Sequence, residues 1–456
     1  MTTLENKNLY KYMLRIVLPI AGQNLITVGV NMTDTVMLGT LGDTVISGCA
    51  LANQLTFVYL LFGFGLAGGT GLLISQYWGK GDRRAIEKIA AIGMNISLTV
   101  SLVFTFIGVV IPETFLSLYT NNPEVIREGV SYLRIVGFTY FLTAFGNLYL
   151  HVMRSLESVG VALTVLMSSF LLNIVLNTVL IFGLLGFPAM GIRGAAIATL
   201  CARLLEWVLS MGHLKFFNRK IKIRLRDMLH VDRVLFKDFV QYSTPVVVGE
   251  MAWGIGFSLQ TAVIGNLGTA AVSAAATAAV NVTGVTRQLS SVVMFGVADA
   301  SRIVVAKTIG AGKEREARRT AKTLRKASMG IGMAAGVFMC LIGLFIDRLG
   351  FLKISGLAMN FLKGMIFANA AILPFISFNA TSIVGILRGG GDTRFAFLTD
   401  CLAMWCWALP VGVLAGFVLK LPPVWVFALM LTDEIWKAPL CFLRIKSGKW
   451  LKNLTR

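Results

Sequence analysis

Charge is scarce in this chain of 456 residues: 14% are Asp, Glu, Lys or Arg, while 56% are hydrophobic and the mean hydropathy is +0.75. A soluble domain carries about 25% charged residues, so a water-exposed globule is excluded. Histidine is scarcer still. His151, His213 and His230 stand apart near loop ends, and no paired carboxylates or nucleophile spacing accompany them to build a catalytic centre. The six cysteines, Cys49, Cys201, Cys340, Cys401, Cys406 and Cys441, have no metal-ligand spacing and lie in or beside apolar runs, where they act as small buried residues. No G-x-x-x-x-G-K-[ST] loop is present. The run FGFGLAGGTG at 62–71 has a GxGxxG-like spacing, but no strand precedes it and no ribose-binding acid follows. Its glycines read as helix-packing positions. Enzymatic chemistry, a nucleotide motor and a bound cofactor are therefore not expected; any pumping draws on an ion gradient.

What the chain has instead is long apolar runs. Spanning a hydrocarbon core of about 30 Å takes about 20 apolar residues in a helix, and twelve stretches qualify: 12–38, 48–76, 89–110, 128–151, 160–183, 190–212, 238–264, 272–304, 321–346, 359–386, 395–418 and 423–444. A transmembrane β-barrel would show short alternating segments, and these runs are continuous. The first run is too long for a signal-peptide core and lacks a small-residue cleavage site, so it is the first span.

The sequence is also written twice. Pro19, Gly39, Gly42 and Ser47 recur 226 positions later as Pro245, Gly265, Gly268 and Ser273, and Gly65, Gly79, Gly81 and Arg84 recur 231 later as Gly296, Gly310, Gly312 and Arg315. Arg154 in MRSLESVG is matched by Arg388 in LRGGGDTR. Six spans per copy is an even number, so both copies enter the membrane in the same direction, as in parallel repeats around a central solute path. The expected fold is an all-α polytopic membrane protein of two pseudo-symmetric six-helix bundles: an N-lobe over 1–213, a basic linker over 214–236 and a C-lobe over 237–456.

The net charge of +20 is not spread evenly. Basic clusters at 80–88, 215–237, 313–326 and 444–456 all follow even-numbered spans, which by the positive-inside rule puts both termini and the linker in the cytoplasm. Nucleic acid is not the expected partner, since aromatics do not interleave with these clusters on a folded surface. Anionic membrane lipids are. The motifs GKGDRRAIEKIA and GAGKEREARRTAKT start with span-ending glycines and are expected to open amphipathic helices along the membrane surface.

An acid at mid-bilayer costs about 2.5–3.5 kcal/mol on insertion scales, so each one there calls for a reason. Asp34 lies about 20 residues into the first span, in its outer half. Glu250, in VVVGEMAWGIG, lies near the middle of the seventh, with Trp253 one turn away. A carboxylate beside an aromatic face can attract a lipophilic cation or carry a proton. Asp400 in the eleventh span is a weaker candidate for the same substrate or proton site. Glu206 with Arg203, Glu434 with Lys437 and Asp299 with Arg302 stand three residues apart and are read as mutually neutralising helix pairs.

At this point LPIAGQNLITVGVNMTDTVMLGTLG, ISQYWGKGD, MRSLESVG, LNIVLNTVLIFG and FPAMGIRGAAIATL, with GNLGTAAVSAAA, IGAGKE and LRGGGDTR in the second half, resemble the multidrug and toxic-compound extrusion (MATE) transporters over nearly the whole chain. The E-x-x-W-G-x-G at Glu250 and the ending RIKSGKWLKNLTR are similar to a bacterial, Firmicutes-like branch. The resemblance implies a secondary active exporter in the plasma membrane, monomeric, that exchanges an amphipathic organic cation for Na⁺ or H⁺ by alternating access. It also implies a cation site in the N-lobe made by Asp34, Asn173, Asn177 and Thr199, with the Ala195 carbonyl as a further ligand. Asn177 departs from members that carry Asp there, so a two-carboxylate proton site is not implied. The alternatives are a flippase for a lipid-linked precursor, which would want a basic cleft, and a membrane-embedded transferase or receptor, which the duplication and the missing catalytic set disfavour.

Overall fold

The computed structural model describes residues 3–39, 41–223, 225–349 and 355–456. A backbone in hydrocarbon must satisfy its own polar groups, which a helix does within one segment. Accordingly the described residues form helices and no strands. In chain order these are α1 (Thr3–Gly39), α2 (Asp43–Lys80), α3 (Arg83–Val110), α4 (Pro112–Ser117), α5 (Pro123–Ser155), α6 (Val159–Phe182), α7 (Gly191–Gly212), α8 (Leu225–Leu229), α9 (Arg233–Gly265), α10 (Ala270–Gly310), α11 (Glu314–Phe345), α12 (Gly356–Ala380), α13 (Thr393–Cys401), α14 (Leu409–Val413), α15 (Pro423–Met430) and α16 (Asp433–Ser447). Short π-helical stretches extend α7 over His213–Phe217 and α12 over Thr381–Leu387, and join α13 to α14 over Leu402–Ala408.

Eleven of the described helical stretches are long and apolar enough to cross a membrane. The twelfth expected run, 423–444, is assembled from two helices that meet at Leu431 and Thr432. The Thr432 hydroxyl donates to the Leu429 carbonyl at 2.6 Å and accepts from Trp407 Nε1 at 2.9 Å. The charged residues Asp433, Glu434 and Lys437 follow directly, so this run is interrupted where its polarity rises.

The chain condenses into two units, Gly22–Val247 and Met1–Ala21 with Val248–Arg456. Both boundaries fall inside long helices, α1 and α9, two residues beyond the internal prolines Pro19 and Pro245. A proline inside a helix deletes one i→i−4 hydrogen bond and is where helices bend.

The expected surface helices are not separate elements. Gly81 and Gly312, with φ of 85° and 74°, take the left-handed conformation that stops α2 and α10. The basic residues after them then form the first turns of α3 and α11, continuous with the spans. Asp82 caps α3, accepting from the Ala85 N–H at 3.0 Å.

Each half closes with a strap that the repeat reading stopped short of. After α7, Lys220 Nζ donates to the Leu156 carbonyl in the loop between α5 and α6, and Ile221 is buried. After α16, the Lys452 N–H donates to the Gly390 carbonyl at 2.9 Å and Trp450 is fully buried. Leu156 and Gly390 each lie two residues after the matched arginines Arg154 and Arg388. The linker and the C-terminal tail are therefore equivalent parts of the two copies. Gly390 fits because a Cβ there would come within 2.3 Å of the Trp450 ring.

Candidate functional site

In the unit Gly22–Val247, Asn173 and Asn177 sit four residues apart on α6, hence on one face of it, and both are buried. Positions 163, 170 and 177 of α6 meet α1 in step. A Cβ on Gly22 would reach Leu163 at 3.1 Å, one on Gly29 would reach Phe170 at 3.2 Å, and Asp34 meets Asn177. The two glycines let α1 lie against the large side chains of α6, which delivers Asp34 to the polar turn. Asn177 Nδ2 then donates to Asp34 Oδ1 at 2.6 Å and to Asn173 Oδ1 at 3.1 Å. These two acceptors fix the amide orientation, since the reverse would set oxygen against carboxylate oxygen.

The other side of α6 is closed by α7. A Cβ on Gly194 would lie 2.6 Å from the Leu180 carbonyl oxygen, so only glycine allows this approach. Ser169 Oγ donates to the Ala202 carbonyl at 2.9 Å and ties the same helices. Ala195 is buried and Thr199 half-buried on α7. Among the described residues no hydrogen bond joins either to the Asp34–Asn177–Asn173 chain. Asn177 Oδ1 is buried without a hydrogen-bond partner. An unsatisfied buried amide oxygen beside a carboxylate is an arrangement that accepts a hard cation. No group of three or more His, Cys, Asp or Glu that could hold a metal occurs among the described residues, so such an ion would rest on amide oxygens and one carboxylate.

The other unit holds a larger charged cluster. Arg388, which ends the π-helical turn after α12, donates through Nη1 to Glu250 Oε1 at 2.5 Å, and its Nη2 lies 3.7 Å from Asp400. Lys437 on α16 reaches Glu434 at 2.6 Å, Asp433 at 3.2 Å and Asp400 at 3.9 Å. Asn379 Nδ2 donates to Glu434 Oε2 at 2.7 Å. Glu250 and Asp400 therefore belong to one network, while Trp253 stacks on Phe257, ring centroids 5.7 Å apart at 12°. The i,i+3 pairs are formed: Arg203 with Glu206 at 2.7 Å, Lys437 with Glu434, and Arg302 with Asp299 at 3.5 Å.

The MatE family model matches residues 19–179 and 245–414, each segment starting on one of the repeated prolines. The chain belongs to the MatE family. It is a polytopic membrane transporter and not an enzyme. The probable multidrug resistance protein NorM of Rhizobium meliloti is 28% identical over 428 residues, covering 88% of each chain. The uncharacterized transporter YisQ of Bacillus subtilis is 26% identical over 436 residues, covering 92% of this chain and 90% of its own. The fold matches a multidrug resistance MATE family transporter solved in an outward-facing conformation, with a TM-score of 0.87, 18% identity and 96% coverage of both chains.

In the MatE sequence Arg388 stands out only as a repeat position, whereas packing makes it the partner of Glu250. A signal was available: Glu250 has no basic residue three or four positions away on its own helix, so its counter-charge had to come from another element.

Proposed function

We propose that this MatE transporter is a secondary active exporter of amphipathic organic compounds, cationic drugs among them, in antiport with Na⁺ or H⁺ by alternating access. The lobes are 1–213 and 237–456, joined by the 214–236 linker, with both termini in the cytoplasm of a bacterial cell and the monomer as the working unit. The observation that carries the coupling part is the Asp34–Asn177–Asn173 chain with its unsatisfied Asn177 oxygen. Thr199 and the Ala195 carbonyl on the adjoining α7 complete the ion's ligands. A single carboxylate matches one monovalent cation or one proton, so each turnover exchanges one positive charge at this site. The names of the relatives support drugs as the exported class.

On the substrate side, Glu250 is half-satisfied by Arg388 and Asp400 is shared between Arg388 and Lys437, so a cationic substrate is attracted by a network with more carboxylates than cations. The deciding experiment reconstitutes the purified protein in liposomes and imposes the Na⁺ and pH gradients separately. Uphill dye efflux under one of them is expected. Efflux under neither overturns antiport.

A further inference from the structure

The two copies of the repeat cover matched helices differently. On α3, Arg84 donates to Asp227 at 2.8 Å, Lys88 to Asp232 at 2.9 Å and Asn95 to the Met228 carbonyl at 2.6 Å, while Glu87 accepts from the Lys222 N–H at 2.8 Å. The linker thus supplies the counter-charges of that helix. The positions 231 later on α11 are Arg315, Arg319, Lys326 and, in place of Glu87, Arg318. The side chains of these four make no hydrogen bond or ion pair with the described residues. Asp392 is held by Arg444 and Lys452, and Glu316 faces Lys313 at 3.5 Å. Glu314, exposed in the first turn of α11, pairs with none of the four.

Arg318, Lys322 and Arg325 are spaced i, i+4 and i+7, hence on one face of α11. Both arginines lean on α16. The Arg325 guanidinium lies over the Phe442 ring, 4.8 Å from its centroid, and its Nε and Nη1 are buried without a hydrogen-bond partner. The Arg318 guanidinium lies against Gly448, where a Cβ would collide with it. Gly448 also takes the φ of 74° that ends α16, so glycine meets both needs. Seven residues set the two arginines about 10 Å apart along the helix axis, with exposed Lys322 between them. Deeper along the same helices the exposed side chains turn apolar, with Met333 and Val337 on α11 and Leu443 on α16. The seam is therefore cationic at its open end and greasy where it enters the bilayer.

We infer that the seam between α11 and α16 is a binding site for an acidic phospholipid with two phosphates, of the cardiolipin class. Each guanidinium fork takes one phosphodiester, Lys322 stands between the two, and the acyl chains lie on the apolar surface beyond. Basic pockets between helices at the membrane border hold such head groups. The lipid supplies on α11 the counter-charge that the linker supplies on α3. A lipid with one phosphate serves one arginine and leaves the other open. The inference is independent of what the transporter exports. The competing account is a diffuse positive field, to which every Lys and Arg near the membrane surface contributes alike.

Native mass spectrometry of the purified full chain in detergent separates these accounts, with cardiolipin, phosphatidylglycerol at equal total charge and phosphatidylcholine as probes. One cardiolipin per protein is expected, bound about tenfold or more tighter than phosphatidylglycerol, because only the two-phosphate lipid makes the second charged contact. Arg318→Gln with Arg325→Gln should level the two affinities. Arg315→Gln with Arg319→Gln removes the same charge from the same helix and should keep the preference. Arg325→Lys keeps the charge but loses the fork, so the preference should fall part-way; this milder change, with exposed Lys322→Gln, serves if the double variant does not fold. Equal affinities in the wild type overturn the site, as does an equal loss in the two double variants. Absence of bound cardiolipin overturns it too, and so does its displacement by excess inorganic phosphate, which would mark a site for the free anion.

Discussion

Replacing Asp34 by Asn tests the coupling site with little change of shape. The carboxylate accepts one hydrogen bond of 2.6 Å from Asn177, and an asparagine oxygen can accept the same bond. A hydrogen bond to a charged group contributes about 1.5–3 kcal/mol, and a neutral one about 0.5–1.5. Folding should therefore lose about 1 kcal/mol. The effect on a bound cation is larger, because its counter-charge is gone. Two unit charges 4 Å apart attract by about 4 kcal/mol at an effective dielectric of 20, which is about a thousandfold in affinity. Purified Asp34→Asn protein should melt close to the wild type, bind radiolabelled Na⁺ about a thousandfold more weakly if Na⁺ is the coupling ion, and lose gradient-driven dye efflux under whichever gradient drives the wild type. Undiminished efflux under that gradient would refute the reasoning. So would a melting loss of several kcal/mol with coupling retained, since Asp34 would then be a structural acid.

The Glu250–Arg388 pair should behave as a unit: Glu250→Gln or Arg388→Gln alone leaves an uncompensated charge and should cost about 3 kcal/mol, whereas the double change should cost less than either; denaturation of the four proteins checks this. Trp450→Ala should destabilise the C-terminal strap by about 3–5 kcal/mol. Gly390→Ala should cost about 1–3 by overpacking against the Trp450 ring, and less in the Trp450→Ala background, as apparent melting temperatures would record. Asp232, outside the spans, bonds Lys88 at 2.9 Å and accepts from the Leu235 and Val234 N–H groups, which hold its carboxyl below the usual range. Its contribution to docking the start of α9 on α3 is complete above the ordinary carboxylate pKa and fades as pH falls through the lowered value. Proteolysis of the 214–236 linker should accelerate in that acidic window, and Asp232→Asn should remove the pH dependence.

Long apolar runs, sparse charge and the doubled motif are properties of the linear chain. They settled the helical class, the number of apolar runs and the membrane, because hydrocarbon leaves a backbone few other ways to bond. The i,i+3 pairs were equally legible, since a helix turns Glu206 to Arg203 and Glu434 to Lys437 whatever surrounds them. Asp34 and the two asparagines could be named from their motifs, but their hydrogen bonds depend on α1 lying against α6, which Gly22 and Gly29 permit. The same holds for Glu250: its spacing from Trp253 marked an aromatic neighbour, and packing gave it Arg388, 138 residues away. The straps were hidden for a related reason. Ile221 and Trp450 share no residue type, and their equivalence lies in where each segment folds back, at the carbonyls of Leu156 and Gly390. Local order along a helix is written in the sequence, whereas the meeting of side chains from distant helices is set by which small residues let those helices approach.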